Sequence, residues 1–287
     1  MRTGVVAVAL VLAAAAVSGV ATNCRGPVAA MTDRFFATVM AKDRAGMLAL
    51  LATNFTGEMA NHRCRSGVGR EEFVDVLMAE LATHGTDMVT PLVQLEAGRW
   101  GVSYAAWATS IARGSNSSDR VFVFGKAFHV VRLSEDLTHI DKFVELYAVE
   151  DPAGFVPPQA NQSRTFAVLD TWAAAIETKN FTAMDAVFAP SMRTTQAVCQ
   201  QPRAVTLNKT EFMAGQRAQF ARQRSAGVSV RFRAAQCDWM AAWVQTQQAW
   251  AGGGGEMALQ DVSVVRLDGG FQVAEWYEFA QVFGPML

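Results

Sequence analysis

The same strand pair is written twice in this chain. Phe128-His129-Val130-Val131-Arg132-Leu133 leads through a turn into Ile140-Asp141-Lys142-Phe143-Val144-Glu145-Leu146. Later, Val262-Ser263-Val264-Val265-Arg266-Leu267 leads through a turn into Val273-Ala274-Glu275-Trp276-Tyr277-Glu278-Phe279. The run Val-Val-Arg-Leu is identical, and the strand after each turn keeps the same apolar rhythm. Such a repeat divides the chain into two copies of one unit. It extends upstream without a gap: Phe35 meets Trp172, Val39 meets Ile176, Lys42 meets Lys179, Asp43 meets Asn180, Met47 meets Met184 and Leu50 meets Val187.

Each copy reads as helices followed by strands. Thr32 is placed to cap a helix running to about Lys42, with Phe35, Phe36, Val39 and Met40 on one face. Asp43 caps a second, shorter helix, as Asn180 does in the other copy. A loop holding Cys64 or Cys199 follows. A third helix carries Phe73, Val74, Leu77, Met78 and Leu81, or Phe212, Met213 and Phe220. From about Val89 the pattern alternates, which marks about four antiparallel strands. Ala105-Ala106-Trp107 returns as Ala241-Ala242-Trp243, and Gly114 to Asp119 and Gly252 to Gly255 read as hairpin connections. Pro152, Pro157 and Pro158 make residues 151–164 a linker between a first domain at 28–150 and a second at 165–287. The fold class is α+β.

The N-terminus addresses the chain for export. Arg2 is followed by an uncharged Val, Ala and Leu run to Ala21, with the small residues Gly19 and Ala21 at the −3 and −1 positions of a cleavage site. This reads as a signal peptide over residues 1–21, against a retained signal anchor of the same stretch. Five of the seven asparagines head an Asn-x-Ser/Thr sequon: Asn54, Asn116, Asn161, Asn180 and Asn208. Chance alone would give roughly one, so the enrichment points to a glycoprotein of a eukaryotic secretory pathway. Asn180 and Asn208 also stand where helices start, so they compete as N-caps. The four cysteines, Cys24, Cys64, Cys199 and Cys237, fit two disulfides with three possible connectivities. Cys64 and Cys199 fall at nearly equivalent places in the repeat, so each half is expected to close its own bridge, Cys24 with Cys64 and Cys199 with Cys237.

At a net charge of −1 and without a basic stripe, the chain offers no electrostatic footprint for nucleic acid. No stretch after the leader spans a bilayer. His62 with Cys64, or His139 with Asp141, gives two ligands each and no metal site, and no cofactor fingerprint is present.

The order of helices and strands, ending in the duplicated Val-Val-Arg-Leu turn and apolar strand, resembles the nuclear transport factor two-like superfamily, which includes SnoaL-type cyclases and ketosteroid isomerases. The resemblance covers nearly all of the chain after the leader, as tandem copies, and extends to secreted animal proteins, many from nematodes. It implies a cone-shaped fold in which helices cover the concave face of a curved sheet and leave a pocket. It also implies pairing through the open sheet face, which the two domains can make with each other. Isomerases of the superfamily place a carboxylate base and a Tyr or Asp donor in that pocket.

The nearest set here is His129, Asp141 and Glu145 on neighbouring strands, with Tyr104 as a donor from the next. A register placing His129 opposite Phe143 would set it diagonally near both carboxylates. The second copy holds Ser263, Ala274 and Met240 instead and keeps only Glu278. The plainer reading of Asp141 and Glu145 is as solvent-facing strand residues. Trp107 and Trp243 serve either as a ligand platform or as core filling between helices and sheet. Arg132 and Arg266 are surface residues or ion-pair partners of acids in their own repeats. The resulting expectation is a secreted, glycosylated binding protein for a small apolar ligand or a protein partner, without catalysis. Its alternative is an isomerase, cyclase or dehydratase working on a hydrophobic substrate in the first-domain pocket.

Overall fold

The computed structural model describes residues 24–60, 64–113, 116–150, 162–199, 201–251 and 255–283. The leader, His62, Asn161 and most of the linker lie outside these residues.

The first domain runs α1 (Pro27–Met40), α2 (Arg44–Leu50), β1 (Leu51–Met59), β2 (Arg65–Val68), α3 (Arg70–Leu81), β3 (His84–Ala97), β4 (Trp100–Arg113), β5 (Asn116–Leu133) and β6 (Ile140–Glu150). The second repeats it as α4 (Gln162–Glu177), α5 (Phe181–Val187), β7 (Phe188–Val198), β8 (Val205–Asn208), α6 (Lys209–Arg222), β9 (Gln223–Gln236), β10 (Trp239–Trp250), β11 (Glu256–Leu267) and β12 (Val273–Phe283). The sheets have the orders β2-β1-β6-β5-β4-β3 and β8-β7-β12-β11-β10-β9. The chain is therefore α+β, two repeated domains of three helices on a six-stranded sheet.

Three details depart from the sequence reading. The stretch expected as a loop before the third helix holds a strand pair, β1 with β2 and β7 with β8. β1 and β7 run parallel to β6 and β12, so each sheet is mixed rather than antiparallel. The first helix starts at Pro27 behind Gly26, and Thr32 lies buried inside it, its hydroxyl donating to the Val28 carbonyl at 2.8 Å. Proline suits the first helical turn because its missing N–H is unneeded there.

The paired caps form as expected. The Asp43 side chain accepts from Gly46 N and the Asn180 side chain from Ala183 N. Lys42 and Lys179, just before these caps, both take positive φ. Their ammonium groups donate to the carbonyls of Leu81 and Gln223, tying the helical corner of each copy to the entry of its β3 or β9.

Each sheet has two apolar faces, and each face is covered. One face of each packs under its own helices: Phe35, Phe73 and Phe143 in the first domain, Trp172, Phe212 and Trp276 in the second. The other two faces meet in one shared core. It contains Val102, Tyr104, Phe128 and Leu146 from the first sheet and Trp239, Val262, Tyr277 and Phe279 from the second. The alternation on β12 produces this split, since Trp276 faces the helices and Tyr277 the other sheet.

The disulfides cross the same boundary. Cys24 is bonded to Cys199 and Cys64 to Cys237, so the expected pairings within each half are wrong. Equivalent positions in two units packed face to face lie near the interface, and each finds its partner in the opposite unit. Polar contacts follow: Lys142 donates to the Tyr277 hydroxyl at 2.6 Å, and that hydroxyl donates to Glu275 at 2.8 Å. Arg132 lies over Trp100 and pairs with Asp141, while Arg266 lies over Trp239 and pairs with Asp238. Both arginines thus find acids in their own repeats.

Candidate functional site

In the first domain, β5 and β6 pair so that His129 faces Glu145, not Phe143. The His129 Nε2 lies 3.8 Å from Glu145 Oε1, and the Tyr147 hydroxyl donates to the same oxygen at 2.5 Å. Burial lowers the His129 pKa to about 3, with the Ser103 main chain acting weakly the other way, so the imidazole is neutral at ordinary pH. The surrounding walls are Phe35, Phe36, Val39, Leu77 and Trp107, and the cavity left between them is ≈ 30 Å³. That is space for a water or two and no organic substrate.

The other members of the expected cluster are elsewhere. Asp141 is bound by Arg132 at 2.5 Å and has Arg99 at 3.6 Å, beside the bulge where Arg132 gives way to Leu133. Its charge is matched by guanidinium groups rather than by His129. Tyr104 projects from the opposite sheet face and packs on Phe128, Phe232 and Trp243 in the shared core. It therefore cannot donate to Glu145. Trp107 does line the small cavity, its ring tilted against Tyr147 at 5.5 Å between ring centres. Trp243 does not share that role. Trp107 pairs with Gly125, whereas Trp243 pairs with Val262, the counterpart of Phe128. The ladders make Trp243 the equivalent of Tyr104 and Thr246 the equivalent of Trp107. An odd displacement between matched tripeptides puts the two indoles on opposite faces.

The second domain keeps the same site open. Ladder partners show what changed: Ser263 stands for His129, Ala280 for Tyr147, Thr246 for Trp107 and Asp261 for Ala127, while Glu278 retains the place of Glu145. On the helices, Ala173 and Gln216 occupy the positions of Phe36 and Leu77. Replacing bulky side chains with small and polar ones leaves a cavity of ≈ 220 Å³ between α4, α6 and the sheet. Its walls include Trp172, Trp276, Gln196, Gln219, Gln248, Asp261 and Glu278.

Its electrostatics are those of an acid pair in the cavity wall, Asp261 buried and Glu278 half-buried. Asp261 is 4% exposed and its pKa is driven well above the usual carboxylate range by burial, then by the negative charge of Glu278. Burial raises Glu278 as well, opposed by a hydrogen bond from the Gln196 amide. Ser263 donates to Asp261 Oδ1 at 3.1 Å, and Trp276 Nε1 donates to the Ser263 hydroxyl at 3.0 Å, fixing one edge of the pair. Two such carboxyls resist ionising together, and the pair retains a proton above the pH at which exposed carboxyls lose theirs. A retained proton lets the pair donate as well as accept.

Asp261 and Gln248 were missed in the sequence. Asp261 left a trace as the one acid in the strand run from Leu259 to Leu267. Glu278 was singled out there, and it lines this cavity. Of the expected glycan sites, Asn54, Asn180 and Asn208 are exposed among the described residues. Asn180 and Asn208 cap helices through Oδ1, which leaves the Nδ2 used for a glycan available. Asn116 opens β5, and Asn161 lies outside the described residues.

No family model matches the chain, and no curated protein does. Solved structures similar to it include an LEH-like epoxide hydrolase of Mycobacterium tuberculosis, 10% identical, covering 43% of this chain and 86% of that one at a TM-score of 0.36. A SnoaL-like protein of Shewanella denitrificans is 6% identical over 42% of this chain and 91% of its own, with a TM-score of 0.36. RV0760c of Mycobacterium tuberculosis is 12% identical over 44% of this chain and 100% of its own, again at 0.36. Each covers a share of this chain close to one of its two domains. At these identities the likeness is one of fold, which by itself assigns no chemistry.

Proposed function

We propose that the chain is an exported two-domain binding protein. Its second domain holds a small ligand between α4, α6 and the sheet, and its first domain serves as the packed partner. The observation that carries this reading is the contrast between two equivalent sites, one filled by His129, Tyr147 and Trp107 and the other hollow around Asp261 and Glu278. The hollow one combines indole walls with a few converging polar groups, as ligand pockets do. Export and glycosylation are supported by the leader, the sequons and two disulfides, bonds that persist in oxidising compartments. The catalytic alternative in the first domain loses support, because the His129 cavity has no room for substrate and Asp141 is bound to arginine.

The test fills the hollow site with the residue its twin uses. Ala280→Tyr places a phenol where Tyr147 stands in the first domain, within reach of Glu278. Native mass spectrometry of the deglycosylated protein from a eukaryotic host is expected to show a co-purified small molecule on the natural chain and none on A280Y. Retention of the same molecule by A280Y would place binding elsewhere, and an empty natural chain that also gains no thermal stability from a small-molecule screen would refute the reading.

A further inference from the structure

Building on this reading of the second-domain cavity, we propose that its ligand carries a small organic ammonium group, seated between the Asp261–Glu278 pair and the Trp172 and Trp276 indoles. The walls are rich in acceptors and poor in cations. Asp261 and Glu278 face the space from β11 and β12, and the amides of Gln196, Gln216, Gln219 and Gln248 come from β7, α6 and β10. Among the described residues that line it there is no lysine or arginine. Gln248 is only 5% exposed and its Oε1 has no hydrogen-bond partner. A buried acceptor in a roomy cavity calls for a donor from whatever occupies it. Water supplies donors, but it makes no use of the aromatic wall that Trp172 and Trp276 give the space. An alkylammonium ion uses both, because its positive charge is attracted to an aromatic face and to a carboxylate alike.

The protons balance simply. A permanent cation entering the site favours the ionised carboxyls, so the pair releases a proton to solvent. A neutral amine instead takes that proton and is held as an ammonium carboxylate. Among the described residues the charged groups facing the seat are Asp261 and Glu278, and those facing it from α4, β7, α6 and β10 are uncharged. Arg222 stands further out, in an adjoining cleft of ≈ 370 Å³ that shares Gln219, Gln248 and Leu259 with the cavity. Cation binding therefore tightens as pH rises through the titration of the pair.

Choline and 3,3-dimethylbutanol, which differ in a charged nitrogen against a carbon, separate the possibilities by calorimetry. The expected result is choline binding about tenfold or more tighter than the alcohol, strengthening as the pH rises above the ordinary carboxylate range, with proton release seen between buffers of different ionisation heat. Asp261→Asn with Glu278→Gln abolishes that preference, bringing choline down to the affinity of the alcohol. Equal binding of choline and alcohol to the natural chain overturns the ammonium proposal while the pocket stands. Failure of both probes, together with no ligand found by native mass spectrometry, overturns the pocket as well. If the double variant does not fold, A280Y serves instead, and choline binding that survives it overturns the proposal.

Discussion

Replacing Cys64 and Cys237 by serine is expected to lower the unfolding free energy by about 4 kcal/mol while the Cys24–Cys199 bridge stays intact. The estimate follows the chain between the two cysteines. Along the backbone they are 173 residues apart. The shorter route runs back to Cys24, across the remaining bridge and on from Cys199, a loop on the order of 80 residues. Closing such a loop removes entropy from the unfolded chain, and losing the closure returns it. Urea denaturation of the oxidised variant measures the loss. Peptide mapping under non-reducing conditions should recover Cys24 with Cys199 and Cys64 with Cys237. Recovery of Cys24 with Cys64 would contradict the face-to-face packing itself. Because one core is built from both sheets, the natural protein is expected to unfold in a single transition.

The second large effect is on pH. His129 is buried and neutral, with a pKa lowered from 6.5 to about 3. A lowered base contributes stability that is present above pH 6.5 and is lost as the pH falls towards about 3, because the unfolded chain takes up a proton that the folded chain refuses. At about 1.4 kcal/mol per unit of difference, the loss across that window is on the order of 3–5 kcal/mol. Asp261 works in the opposite sense. Its raised pKa contributes stability that is fully present below the ordinary carboxylate range and is lost as the pH climbs through the folded value. Urea midpoints followed across pH in His129→Asn and in Asp261→Asn separate the two. The first variant should flatten the acid limb, and the second should flatten the decline above the ordinary carboxylate range. An unchanged acid limb in H129N would mean that the imidazole is not buried as described.

The parts legible in the sequence were those with local or repeated signals. Asp43 and Asn180 announced their helices because a cap acts within three residues of itself. The Val-Val-Arg-Leu run announced the closing strand pair of each copy because it is written twice. β1 escaped notice because Thr53, Asn54 and Thr56 are exposed and break its apolar pattern, while its parallel partner β6 lies far along the chain. The disulfide pairing was hidden for a related reason: it depends on how two finished units dock. The tripeptide shared by Trp107 and Trp243 misled outright, since only the ladders reveal that the two residues are not equivalent. The acid pair was half visible. Glu278 kept the place of Glu145, but Asp261 replaces an alanine and gains meaning only once the missing Tyr147, Trp107 and Phe36 side chains open space in front of it.

The shared core between the sheets has one more consequence. Two separate chains meeting through such a face come apart when they are diluted, and being identical they must present the same surface to each other. Here the partner is attached by the backbone and by two sulfur bridges, so its local concentration is set by the molecule and not by its surroundings. No dilution separates the halves. Nor does either half have to match its own mirror role, which left one of them free to stay solid and the other to become hollow.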